Sequence, residues 1–94
     1  MITSFACRET QKIFNGEISR KFPAEIQRRA YRRLQALHDA PCLDDLRNPP
    51  SNNLEKLRGD RAHQHNSIRI NKQFRLCFQW IGYHAIEVEI VDYH

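Results

Sequence analysis

Phe74-Arg75-Leu76-Cys77-Phe78-Gln79-Trp80 alternates large apolar with other residues, which places Phe74, Leu76, Phe78 and Trp80 on one face of a strand and Arg75, Cys77 and Gln79 on the other. Upstream, Ser67-Ile68-Arg69-Ile70 alternates too, and Asn71-Lys72-Gln73 joins the two runs as a hairpin loop. Downstream, Gly82 helps turn the chain into Ala85-Ile86-Glu87-Val88-Glu89-Ile90-Val91. There Ile86, Val88 and Ile90 are expected on the core side, with Glu87 and Glu89 on the open side. Leu54-Glu55-Lys56-Leu57-Arg58 reads as a further short strand ended by the turn pair Gly59-Asp60. Met1 to Ala6 fits a short first strand.

Two helices separate that first strand from the rest. The segment from about Arg8 to Asn15 spans roughly two turns, and Gly16 stands where a left-handed stop is wanted. Pro23 suits the first turn of a second helix, because its missing N–H would be unpaired there anyway. Ile26, Ala30, Leu34 and Leu37 then form an apolar stripe that Tyr31 widens, with Arg28, Arg29, Arg32 and Arg33 on the outer faces and Ala40-Pro41 as the end. Between Cys42 and Asn53, adjacent Pro49 and Pro50 and the Asn/Ser cluster predict a connection without regular structure. The order predicts one domain over residues 1–94. Its class is α+β, with two N-terminal helices packed on one face of a mainly antiparallel four- to five-stranded sheet. The other face is expected to stay open, bearing Arg75 and, in matching register, Arg69.

The length admits one domain with an economical core, and 40% hydrophobic with 28% charged residues is a globular composition, not a disordered one. No run of about 18 apolar residues and no signal-like start occurs, so a cytoplasmic protein with no membrane partner is expected. Cys7, Cys42 and Cys77 are odd in number and at no metal-like spacing, and read as core or surface thiols. His63 and His65 would share a strand face, but no third ligand completes a metal site, and no cofactor motif is present. The net charge of +4 is unevenly spread. Residues 47–75 carry seven positive charges (Arg47, Lys56, Arg58, Arg61, Arg69, Lys72 and Arg75) against Glu55 and Asp60, whereas residues 76–94 carry no positive charge and three negative ones. A basic centre of this density is the usual footprint of a phosphate-bearing partner such as RNA, with Arg58, Arg61, Arg69 and Lys72 as candidate contacts, the other reading being a solvated basic face kept for solubility.

Metal-free RNA cleavage needs a base for the 2′-hydroxyl, cations for the extra charge on phosphorus and an acid for the 5′-oxygen. Arginine suits the middle task through its planar, permanently charged fork, and histidine either proton task. The tail Asp92-Tyr93-His94 offers a carboxylate, a ring able to stack on a base and an imidazole. By residue type Arg75, Asp92, Tyr93 and His94 are candidates for these catalytic tasks, the other reading of such a tail being a frayed chain end.

Three blocks, Leu57-Arg58-Gly59-Asp60-Arg61, Ser67 to Phe78, and Val88-Glu89-Ile90-Val91-Asp92-Tyr93-His94, closely resemble the HigB family of toxins within the RelE-like superfamily. The resemblance extends over nearly the whole chain. It implies a RelE-like fold and a ribosome-dependent mRNA endonuclease that cuts the codon in the A site and halts translation. It also implies neutralisation by a helix-turn-helix antitoxin of the HigA type, through which operator DNA is reached indirectly. By the same resemblance the family's phosphate-binding arginine falls on Arg75, its terminal Asp-Tyr-His on Asp92, Tyr93 and His94, and a basic residue before Gly-Asp on Arg58. Some members carry a catalytic histidine where this chain has Glu55, so Glu55, His63 or His65 is expected to assist, or His94 and Asp92 to manage alone. Two other readings are a non-catalytic RNA- or ribosome-binding inhibitor and an antitoxin-dependent transcriptional co-repressor.

Overall fold

The first helix, α1, runs Arg8–Phe14 and ends before Gly16, whose φ of 85° is the left-handed stop expected there. Pro23 precedes the second helix, α2 (Ala24–Asp39), whose Ile26, Ala30, Leu34 and Leu37 are buried at helical spacing. Each of the helix's two fully buried leucines, Leu34 and Leu37, stabilises the fold by roughly 1.5–3 kcal/mol. Tyr31 stays exposed instead of widening the buried stripe. This computed structural model describes residues 1–57 and 66–92.

Past α2 the chain makes two 3₁₀ turns, Leu43–Arg47 and Pro50–Asn52, where a wholly irregular connection was expected. Burial explains the difference. Leu46 and Asn52 are both nearly inaccessible, and the Asn52 amide donates to the carbonyls of Leu46 and Asn48, so the segment is packed as a small unit. Four strands follow: β1 (Glu55–Lys56), β2 (Asn66–Arg69), β3 (Phe74–Ile81) and β4 (His84–Asp92), antiparallel in the order β1-β2-β3-β4. The β2–β3 hairpin is held by Asn71, whose Oδ1 accepts from the N–H groups of Gln73 and Phe74. Ile81 pairs with His84, so Gly82 (φ 61°) and Tyr83 form the tight β3–β4 turn.

Residues 1–6 run parallel to β4 on its other side, with Thr3 N–H donating to Ala85 O and Ala6 N–H to Val88 O. They form two separate bridges, Ile2 to Ala85 and Phe5 to Val88, and not the continuous strand expected. A bulge in β4 causes this. Cys77 pairs with Glu89 but Gln79 with Ile86, which leaves one extra residue on β4, and Glu87 takes a left-handed φ of 52°. Ser4 stabilises the bulge by accepting the Glu87 N–H at 2.9 Å on its hydroxyl and the Val88 N–H on its carbonyl. The extra residue breaks the period of two, so Ala85 and Val88 both reach the core while Ile86 is left half-buried, against expectation.

The main core lies between the helices and the face bearing Ile68, Leu76, Phe78, Val88 and Ile90. Thr10 of α1, fully buried, accepts the Ile90 N–H at 3.0 Å and so occupies the edge of β4 beyond the bulge. Thr10→Val keeps the shape and removes that acceptor. It is expected to destabilise the protein by about 1–3 kcal/mol in a urea titration, because the Ile90 N–H is left unpaired. An unchanged midpoint would mean that water replaces the hydroxyl.

The opposite face is not open, as expected, but largely covered. Ser67, Arg75 and Cys77 are buried there, and Leu57, Cys77 and Val91 pack as a second, smaller cluster. The segment from Asn53 to Leu57 runs along the sheet edge as β1, with the Asn53 carbonyl meeting Arg75 on this side and Leu57 packing on Cys77 and Val91.

Candidate active site

Arg75 is placed by the alternation of β3: Phe74 and Leu76 are anchored in the helix-side core, so Arg75 must project from the other face. Its Cα stands between Arg69 on β2 and Val91 on β4. The residue is only 7% exposed. Burying a guanidinium is costly unless its donors are satisfied, and two of its three nitrogens find acceptors among the described residues. Nε donates to the Ser67 hydroxyl at 2.7 Å, and Nη2 donates to the Asn53 carbonyl at 2.6 Å and at longer range to the Ser67 carbonyl.

Asn53 makes this possible through its backbone. Its φ of 47° and ψ of 57° are left-handed, a conformation asparagine tolerates better than most residues. The same residue reaches Glu55, its side-chain amide donating to Glu55 Oε1 at 3.2 Å. The other carboxylate oxygen, Oε2, lies 3.8 Å from Arg75 Nη2. Glu55 is half exposed, so the ion pair itself contributes about 1 kcal/mol or less, and the hydrogen bonds to Ser67 and Asn53 do most of the holding. A cation and a carboxylate are thus fixed side by side, one buried and one reaching solvent. Among the described residues nothing accepts from Nη1.

The other expected site residues are distributed as follows. Arg69 is the direct cross-strand partner of Arg75, but its Nε turns the other way, to the carbonyl of Asn71 at 3.2 Å. Lys72 is exposed at the hairpin tip. Asp92 pairs with Phe74, one position beyond the row of Arg75, and its Oδ2 accepts from Gln73 Nε2 at 3.1 Å. Strand parity therefore directs Asp92 away from Arg75. Arg58, Arg61, His63, His65, Tyr93 and His94 lie outside the described residues.

Sequence reading missed Ser67 and Asn53, the two residues that hold Arg75. A serine in a strand of period two signals only a small polar position, and an asparagine in a Pro/Asn cluster only a turn. Neither reveals which side chain it will meet.

The comparisons agree with this architecture. The model of the HigB-like toxin family, described as the RelE-like toxin of type II toxin-antitoxin system HigB, matches residues 3–94. Toxin HigB-1 of Vibrio cholerae is 44% identical over 62 residues, 66% of this chain and 64% of that toxin, so the match spans just under two thirds of the relative. An uncharacterised protein of Haemophilus influenzae is 34% identical over 65 residues, 69% of this chain and 63% of its own length. Endoribonuclease HigB of Proteus vulgaris is 32% identical over 94 residues, the whole of both chains. With two helices before a four-stranded antiparallel sheet, and a family match over nearly its full length, the chain belongs to the HigB family of RelE-like toxins of type II toxin-antitoxin systems.

Proposed function

We propose that this chain is a metal-independent endoribonuclease that cleaves translated mRNA in the ribosomal A site, and that a helix-turn-helix antitoxin of the HigA type neutralises it. The observation that carries the reading is the Arg75–Glu55 pair, a buried, immobilised cation beside a solvent-reaching carboxylate, in a family with a member named as an endoribonuclease. The chain acts as one domain in the cytoplasm. Among the described residues no helix is long and apolar enough to cross a membrane.

In the proposed reaction the 2′-oxygen attacks the adjacent phosphorus, its proton passes to a base, and the 5′-oxygen leaves with a proton from an acid. Arg75 holds the non-bridging oxygens through Nη1 and stabilises the charge that develops on them. Glu55, fixed by Asn53 next to that cation, is the base, and His94 is the acid. Tyr93 stacks on a base of the codon, and Asp92 orders the end of β4 through Gln73. Arg58 and Arg61 carry further phosphate contacts, with His63 and His65 as neighbours able to assist. The products are a 2′,3′-cyclic phosphate and a 5′-hydroxyl.

The test is a defined mRNA on programmed ribosomes, with 5′ ends mapped and their chemistry determined. Cuts in register with the reading frame, bearing 5′-hydroxyl ends, are expected. Cuts bearing 5′-phosphates would exclude 2′-hydroxyl attack, and translation arrest without cuts would leave a non-catalytic ribosome-binding inhibitor. Glu55→Gln, which removes the base and keeps the bond from Asn53, is expected to slow cleavage by roughly 10²–10⁴-fold with unchanged mRNA binding. An equal rate would return the base role to a histidine.

A further inference from the structure

We infer that α2 and the β2–β3 hairpin together form a second anion-binding groove, separate from Arg75, that takes the phosphodiester backbone of folded RNA. The inference rests on the RNA reading above and names a surface for it. Arg29 and Arg33 stand four residues apart and so share one face of α2. With Arg69, Lys72, Asn71 and Ser51 they line an open hollow of about 460 Å³.

The way these cations are held is the reason for assigning them a ligand. Arg29 Nη1 donates to the carbonyl of Ile70 at 3.3 Å, Arg33 Nε to that of Arg69 at 3.0 Å, and Arg69 Nε to that of Asn71 at 3.2 Å. Backbone carbonyls orient the guanidiniums without neutralising them. Among the described residues none of the four basic side chains makes an ion pair; the pairs lie at Glu9–Lys12, Asp44–Arg47 and Glu55–Arg75. Glu25 is the carboxylate at the rim, where the adjoining hollow also meets Arg29, Asn71 and Lys72. Partial burial, and next the charge of Arg29, depress the Arg33 guanidinium below its ordinary value, the sign expected when like charges are crowded together. An incoming polyanion relieves that repulsion.

Two features favour nucleic acid over an acidic peptide. The hollow is wide and open, and it pairs fixed guanidiniums with small polar groups on Ser51 and Asn71, the donors that position a sugar-phosphate backbone. It presents no aromatic ring for stacking, which suits backbone contact to a duplex more than grip on unpaired bases. The groove is also distinct from the cleavage site. Arg69 and Arg75 are cross-strand partners, yet Arg75 runs back to Ser67 and Asn53 while Arg69 runs forward to Asn71. One bound strand does not have to serve both.

The test uses the full chain and a fluorescent, 2′-O-methylated RNA hairpin of about 12 base pairs, followed by anisotropy from about 50 to 200 mM salt. The 2′-O-methyl groups prevent cutting. Arg29→Gln/Arg33→Gln and, separately, Lys72→Glu are expected to weaken binding about tenfold or more and to flatten the salt slope by about one for each phosphate no longer neutralised. Lys72 makes no bond among the described residues, so its variant keeps the fold even if the arginine pair does not. Arg8→Gln/Arg20→Gln removes equal charge elsewhere and should have little effect. Equal loss in that control means net charge alone, unaltered binding in the groove variants means no site, and displacement of the hairpin by polyglutamate at matched charge means an acidic partner; each overturns the inference. Cleavage on programmed ribosomes is measured alongside. Wild type that binds the hairpin but leaves mRNA uncut sinks the endonuclease reading alone, whereas cutting with no groove-dependent binding sinks the groove alone.

Discussion

Arg75→Ala should abolish growth arrest and lower the rate of mRNA cleavage by roughly 10²–10³-fold, the scale seen when one fixed donor to a developing anion is removed. It should also destabilise the fold by about 2–3 kcal/mol, because the Ser67 hydroxyl and the Asn53 carbonyl lose a charged donor in a buried place. The two effects can be separated. Arg75→Lys retains the charge but cannot donate to Ser67 and Asn53 while also presenting a fork, so it should recover part of the stability and little of the rate. Urea titration and single-turnover cleavage on the same preparations check both. If Arg75→Lys and Arg75→Ala, kept folded at low temperature, cut mRNA at the wild-type rate, Arg75 is a brace between β2, β3 and the Asn53 segment and nothing more.

The second large effect is expected at His94. Replacing it by Ala should slow cleavage by about 10²–10⁴-fold, the range for loss of a positioned acid, and leave ribosome binding and thermal stability unchanged. The decisive version is the pair of variants Glu55→Gln and His94→Ala. If the two act as base and acid in one step, the double variant should lose much less than the product of the single losses, since neither group works without its partner. Losses that multiply would assign Glu55 to a different task, such as holding Arg75 in place.

Electrostatics sets apart three groups among the described basic residues. Arg75 is buried and held by neutral oxygens, with one carboxylate nearby. Arg29, Arg33, Arg69 and Lys72 face an open groove with their charge uncompensated among the described residues. Lys12 and Arg47 sit in local ion pairs three residues away along their own helical turns, exposed and worth a few tenths of a kcal/mol each. A count of charge would treat all of them alike, and their surroundings give them different work.

Much of the architecture was legible in the order of residues. The apolar spacing in α2, the glycine after α1 and the alternation in β2 and β3 are local signals, and local backbone preferences acted on them unopposed. The register that sets Arg69 opposite Arg75 follows from the short hairpin that Asn71 closes. Where the sequence misled, a contact from far along the chain had intervened. Ser4 stabilises the bulge at Glu87 across more than eighty residues, and that single extra residue moves Ala85 inward and Ile86 outward. Leu57 packs on Cys77 and Val91, on a face that alternation alone would leave to solvent.

By itself the sequence determined the fold class, the family and the face of β3 from which Arg75 projects, because each is written in local periodicity or in contiguous blocks of residues; that Arg75 is buried there it did not say. Only the tertiary structure decided what holds that arginine, that Glu55 stands beside it, and that Arg69 joins α2 in a separate groove. Those are contacts between segments distant in the chain, governed by register, by one left-handed asparagine and by the cost of burying a charge without partners.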